Sequence, residues 1–157
     1  MKALTLRQPW AWAVLHAGKW VENRTWRPPA GIVGEPFAIH AGFKEPEAED
    51  VASAVERAGI IGRTTVSAPA EFQRGCVVGV ATVTGFVEVD GDGRITAQHP
   101  AHTRLAAQAL ASPWFIGPVG MFLADVRALA TPIPCRGMLG FWPLPPQIEA
   151  EVRRQFG

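Results

Sequence analysis

Apolar and polar positions along this chain fall into short blocks of two periods. The opening "MKALTL" alternates weakly and predicts a short strand. "PWAWAVLHAG" wraps apolar residues around almost the whole circumference of a helix, so it should be buried on most sides. Pro9 suits its first turn and Gly18 its stop. "KWVENRTW" then turns to β-favouring Trp, Val and Thr. Read as a strand, it puts Trp20, Glu22, Arg24 and Trp26 on one face and Val21, Asn23 and Thr25 on the other. "RPPAG" is a turn, and "IVGEPFAIHAG" predicts another strand with Pro36 at an edge or bulge.

Further along, "EPEAEDVASAVERAG" predicts a surface helix with acids early and Gly59 at its end. "GIIGRTTVSAPAEFQRG" reads as a loop. "GCVVGVATVTGFVEV" is a long β-rich run, followed by the hairpin signal "DGDG" and by "RITA". "PAHTRLAAQALA" predicts a helix, "VGMFLADVRALATPIP" and "MLGFWPL" the closing strands, and "PPQIEAEVRRQFG" a last helix. No repeat or linker divides the chain, so residues 1–157 are expected to form one domain. The expected class is α+β, a small curved sheet or barrel decorated by helices.

Composition changes this picture little. Hydrophobic residues make up 48% and charged residues 18%, which is globular and not disordered. No apolar run reaches the ~20 residues of a membrane span, and the first residues lack a signal-peptide layout, so the cytoplasm is the expected compartment. Cys76 and Cys135 follow no spacing motif and read as reduced thiols. A net charge of +1 gives no general pull toward nucleic acid, but its distribution is uneven. Residues 1–40 hold five cations against Glu22 and Glu35, whereas residues 41–60 hold Lys44 and Arg57 against five carboxylates. A local anion site near the start is permitted by this pattern.

The stretch "LTLRQPWAWAVLHAGKWVENRTW" closely resembles the opening of the ASCH family (activating signal cointegrator homology domains), whose signature resembles GxKxxExR. Lys19, Glu22 and Arg24 match at the right spacing, while Ala17 stands where the family glycine is expected and Gly18 follows one place later. "FAIHAG", "RGCVVGVATVTGFVEV" and "SPWFIGPVGMFLADVRALATPIPCRGMLGFWPL" match in order, so the resemblance spans roughly residues 3 to 145. It implies a PUA-like β-barrel decorated by helices, with RNA, single-stranded nucleic acid or a nucleotide as partner. Some small bacterial relatives are RNases or deacetylate acetylcytidine, so the fold alone does not fix an activity.

Several side chains then become candidates. Lys19, Glu22 and Arg24 are either a solvated ion-pair cluster worth ~0–1 kcal/mol per pair, or the mouth of a ligand site. In the second case Arg24 offers a planar fork to a phosphate or carbonyl, Glu22 accepts a proton or hydrogen bond, and Lys19 supplies a point charge. Gln8 can read a base edge and, with Trp10, stands where the resemblance implies a pocket wall, though Trp10 also suits a core. Trp20 and Trp26 flank the charged face and can stack a base or simply pack. Ser112, Pro113 and Trp114 lie in a loop that resembles the family's and could close the pocket. His40, at the end of "IHAG", is a strand-end core residue or a pocket donor. His99 and His102 have no carboxylate or cysteine close by, and Asp90 and Asp92 lack the rest of a calcium loop. No metal and no cofactor are therefore expected.

Two functional readings follow. The first is a non-enzymatic module for single-stranded RNA or DNA, or for a modified base held at the barrel mouth. The second is a small hydrolase, an RNase or a nucleoside amidohydrolase, using Lys19 and Glu22. In the acetylcytidine-cleaving relatives the motif resembles Lys-x-x-Thr with threonine as nucleophile; here Glu22 stands at that position. A carboxylate does not readily take that acyl-transfer role, although it can activate a water. A blander third reading is a protein-interaction domain with a vestigial charged mouth.

Overall fold

Two long strands form the spine of the protein, for which a computed structural model describes residues 1–99 and 103–156. They are β4 (Cys76–Val89) and β6 (Val119–Pro134), the two valine- and alanine-rich runs of the sequence, paired antiparallel. Their register shifts three times, between Val77 and Gly79, Val80 and Thr82, and Val83 and Gly85. Each shift adds local twist and bends the pair. Around them lie β1 (Lys2–Leu6), β2 (Val21–Arg24), β3 (Pro36–Ala41), β5 (Ile95–Gln98) and β7 (Phe141–Pro143). The sheet runs β2-β6-β4-β3-β1-β7, with β5 pairing on β4. The helices are α1 (Trp10–His16), α2 (Ala48–Ile60), α3 (Thr103–Ala111) and α4 (Pro146–Phe156).

The α+β class is as expected, but the sheet is not a closed barrel. Its hydrogen-bonded path has two ends, β2 and β7. The reason is strand length. β7 covers β1 only from Lys2 to Leu4, and β2 is a four-residue strand paired with β6 alone. Past Leu4 the free edge of β1 is met by a side chain instead of a strand: Arg24 Nη2 donates to the Thr5 carbonyl at 2.9 Å. The gap left between β2 and β1 is where the candidate site lies.

Strand alternation sorts the core. Leu4 and Leu6 pack with Phe37, Ile39 and Met121 under Ala11 and Val14 of α1, while Ala3 turns the other way to Trp142, Leu144 and Val152 of α4. α1 lies so close to the sheet that a Cβ on Gly79 would come within 2.5 Å of Leu15. A third cluster joins Trp12 of α1 and Ala54 and Ala58 of α2 to Trp114 and Phe122. Burying each of these large side chains contributes on the order of 2–3 kcal/mol. Among the described residues no helix is long and apolar enough to cross a membrane.

Candidate functional site

The end of α1 sets the position of Lys19. Gly18 adopts φ +76°, which favours glycine, and a Cβ there would also meet Arg63 Nε at 2.6 Å. This turn lets the Lys19 N–H reach back to the Ala13 carbonyl at 3.0 Å and close the helix. The predicted stop at Gly18 is thus a structural hinge that throws the Lys19 side chain inward. Lys19 is only 3% exposed. Its Nζ donates to the Val21 carbonyl and, at 2.7 Å, to Glu22 Oε2. Arg24 Nε lies 3.1 Å from Glu22 Oε1, a Coulombic contact without the alignment of a hydrogen bond. The exposed-rim reading fails on burial: the Glu22 side chain is 9% and the Arg24 side chain 22% exposed. Taking such charges out of water is costly unless they are mutually paired and hydrogen-bonded, and here two cations share one carboxylate.

These three side chains line a cavity of about 520 Å³, together with Trp10, Trp114, Asn23, Arg7, Arg57 and Asp50. Its wall therefore carries four cations against two carboxylates. Trp114 is buried, and its indole N–H has no hydrogen-bond partner among the described residues. The loop that carries Trp114 is fixed from two sides. Arg57 of α2 donates to the Pro113 carbonyl. Asn23 of β2 donates to the Trp114 carbonyl at 2.8 Å and accepts from the Ile116 and Gly117 N–H groups at 2.8 and 3.1 Å.

Of the residues singled out in the sequence, Trp10, Lys19, Glu22, Arg24 and Trp114 come together here, and Gln8, Trp26 and His40 do not. Gln8 is buried beside a different cavity, with its amide occupied: Oε1 accepts from the Trp12 N–H at 3.0 Å and Nε2 donates to the Gln73 carbonyl at 2.7 Å. It caps α1 and ties the 61–75 loop over it. Trp26 packs edge-on against Phe141, with the Arg24 guanidinium 5.6 Å from its ring centroid. Trp20 packs on Phe122. Strand alternation does not place these two tryptophans because β2 covers only Val21–Arg24, and both lie outside it. Asn23, assigned to the opposite face from Glu22, still contributes to the same cavity.

His40 belongs to a neighbouring cavity, also of about 520 Å³, lined by Phe43, Gly75, Cys135, Arg136 and Gly137. Its Nε2 lies 2.8 Å from the Cys135 carbonyl, an oxygen that only accepts, so Nε2 carries the proton. Burial pulls the His40 pKa below 6.5, more than the Cys135 bond raises it, and its Nδ1 has no partner. The two cavities share Thr5, Met138 and Leu139 as a common wall.

Asp50 and Arg57 carry no local sequence signal for this role and are brought to the site by α2, whereas Asn23 joins it from β2 itself. The predicted "DGDG" turn has Asp90 Oδ1 accepting from the Asp92 and Arg94 N–H groups, as a turn requires. Among the described residues no group of three His, Cys, Asp or Glu side chains is placed to hold a metal; His102 lies outside them.

No protein-family model matches the chain, and no curated protein matches its sequence. In structure it is similar to a mutant ZmASCH protein from Zymomonas mobilis, with a TM-score of 0.50 and 15% identity over 98% of this chain and 94% of that one. At that identity the likeness is one of fold: an ASCH-like α+β architecture.

Proposed function

We propose that the protein is a binding module for RNA or a nucleotide, which takes a short single-stranded or modified nucleotide into the Lys19–Glu22–Arg24 cavity. The observation that carries this reading is the excess of positive charge on the wall of a cavity of about 520 Å³: Arg7, Lys19, Arg24 and Arg57 against Glu22 and Asp50. An anionic or strongly polar group completes that balance, and Trp10 and Trp114 offer apolar surface to a flat ring. The ASCH-like fold supports the same reading. A net charge of +1 on the whole chain favours a few phosphate contacts over extended duplex binding, and hence a shallow dependence of affinity on salt. The free thiols Cys76 and Cys135 suit work in the reducing cytoplasm.

Binding is preferred to hydrolysis because, among the described residues, the cavity wall holds no cysteine and no unengaged hydroxyl. Thr5 is the one hydroxyl-bearing residue on its wall among those described, and its Oγ1 donates to the Met138 carbonyl and accepts from Trp142 Nε1. Both Glu22 oxygens already face a cation.

The test is a titration of ribonucleoside 5′-monophosphates and short oligonucleotides into wild type and Arg24→Met. Losing one charged hydrogen bond costs ~1.5–3 kcal/mol, more than tenfold in affinity. Unchanged dissociation constants in a folded Arg24→Met protein would sink the proposal. Arg24 also holds Thr5, so Arg7→Ala, which removes an exposed cation from the same wall, provides a second variant that leaves the packing alone.

A further inference from the structure

The His40 cavity is not absorbed by the site just described, yet the two are continuous through Thr5, Met138 and Leu139. Its most exposed wall is aromatic. Phe43 is 82% exposed, which is costly for a large apolar ring in water. The ring is nonetheless held in place. It rests on Gly75, where a Cβ would come within 3.2 Å of a ring carbon. Arg74 donates to the Phe43 carbonyl at 2.9 Å, places its guanidinium 5.9 Å from the ring centroid, and is itself fixed by Glu45 at 2.7 Å. A flat exposed ring with its backbone tied by Arg74 and its underside on Gly75 offers a stacking platform.

The cavity wall itself carries one arginine and no carboxylate among the described residues. Arg136 lines the cavity, is exposed, and makes no ion pair among the described residues. His40 is neutral in the floor. Between the two cavities stand Met138 and Leu139, the latter 98% exposed. They form an apolar ridge between two flat-walled chambers of equal volume, each with an arginine at its edge.

We infer that the second cavity receives the nucleotide adjoining the one in the Lys19–Glu22–Arg24 cavity, with its base stacked on Phe43 and its phosphate beside Arg136, so that the protein reads two successive nucleotides of a single strand across the Met138–Leu139 ridge. This rests on the reading of the first cavity as a nucleotide site. Exposed apolar tips beside Arg7 and Arg136, neither ion-paired among the described residues, fit a chain of bases and phosphates better than the continuous apolar area a protein partner needs.

The experiment compares ribonucleoside 5′-monophosphates with the 5′-phosphorylated dinucleotides built from them, titrated into wild type, Phe43→Ala and Arg136→Ala. The best dinucleotide should bind at least about tenfold more tightly than its mononucleotide, since one base–aromatic stack is worth about that much or more. Phe43→Ala should remove most of this gain and leave mononucleotide affinity unchanged; Arg136→Ala should weaken the dinucleotide alone. Mononucleotide binding with no gain from a second nucleotide overturns the second subsite and leaves the first reading standing. A gain that survives Phe43→Ala places the second nucleotide elsewhere and also overturns it. Absence of binding by any of these probes overturns the first reading, and this one with it.

Discussion

The two cavities sit on either side of one loop and are built in opposite ways. The first is charged, and its central triad comes from six consecutive residues, Lys19 to Arg24. The second is lined mainly by neutral side chains, and its walls come from β3, the segment just after it, Gly75 and the 135–139 loop. Equal volume thus hides different sources of strength. In the first, each charge is tolerated because its partner is a few residues away; in the second, shape depends on distant backbone segments approaching closely. Disturbing the first should expose an unpaired charge, whereas disturbing the second should cause a steric misfit.

The largest effect should come from Glu22→Ala. It leaves Lys19 buried without its carboxylate, and breaking such a pair costs ~3–5 kcal/mol. Urea denaturation measures this, and the double variant Lys19→Met/Glu22→Met should recover much of the loss because it removes the stranded charge as well. If Glu22→Ala unfolds no more easily than wild type, the triad is solvated and the contrast between the cavities collapses.

Next in size is Gly137→Ala. An added Cβ would lie 2.5 Å from His40 Cε1 and 2.8 Å from Thr5 Oγ1, and overpacking of this kind costs ~1–3 kcal/mol. A thermal melt at constant pH decides it. An unchanged midpoint would show a loop that shifts freely away from His40.

A smaller effect concerns pH. Burial keeps the His40 pKa below 6.5, whereas the unfolded chain takes up this proton near the ordinary value. Below about pH 6.5 the unfolded state therefore binds a proton that the folded state refuses. The stability is complete above that pH and declines as pH falls toward the folded value. Urea midpoints across this range should slope downward in wild type and lose part of the slope in His40→Gln; parallel curves would mean that His40 is not held neutral. The smallest effect belongs to Leu139→Ala at the shared ridge, where a side chain this exposed should change stability by less than ~0.5 kcal/mol.

The same contrast separates what could be read in the chain from what could not. Lys19, Glu22 and Arg24 were legible as neighbours because a helix stop at Gly18 and a short strand act within a few residues, whereas their reading as a ligand site came only with the resemblance to the ASCH family. α1, α2, β4 and β6 follow from periodicity and from their glycine and proline boundaries. The amide of Gln8 carries no local sign of its partner, the Gln73 carbonyl, which lies 65 residues away and is delivered only by the folded 61–75 loop. Trp26 was placed by a period that ends with the strand at Arg24.

By itself the sequence determined the α+β class, the order of the elements and the closeness of Lys19, Glu22 and Arg24, since these depend on local propensity, burial pattern and near-neighbour spacing. The tertiary structure alone decided that the sheet stays open. That outcome turns on β7 reaching no farther than Leu4 and on Arg24 bonding to Thr5, contacts between segments far apart in the chain that no local period encodes. For the same reason it alone joined Asp50 and Arg57 to the triad, and set Gly75 and Arg136 beside His40.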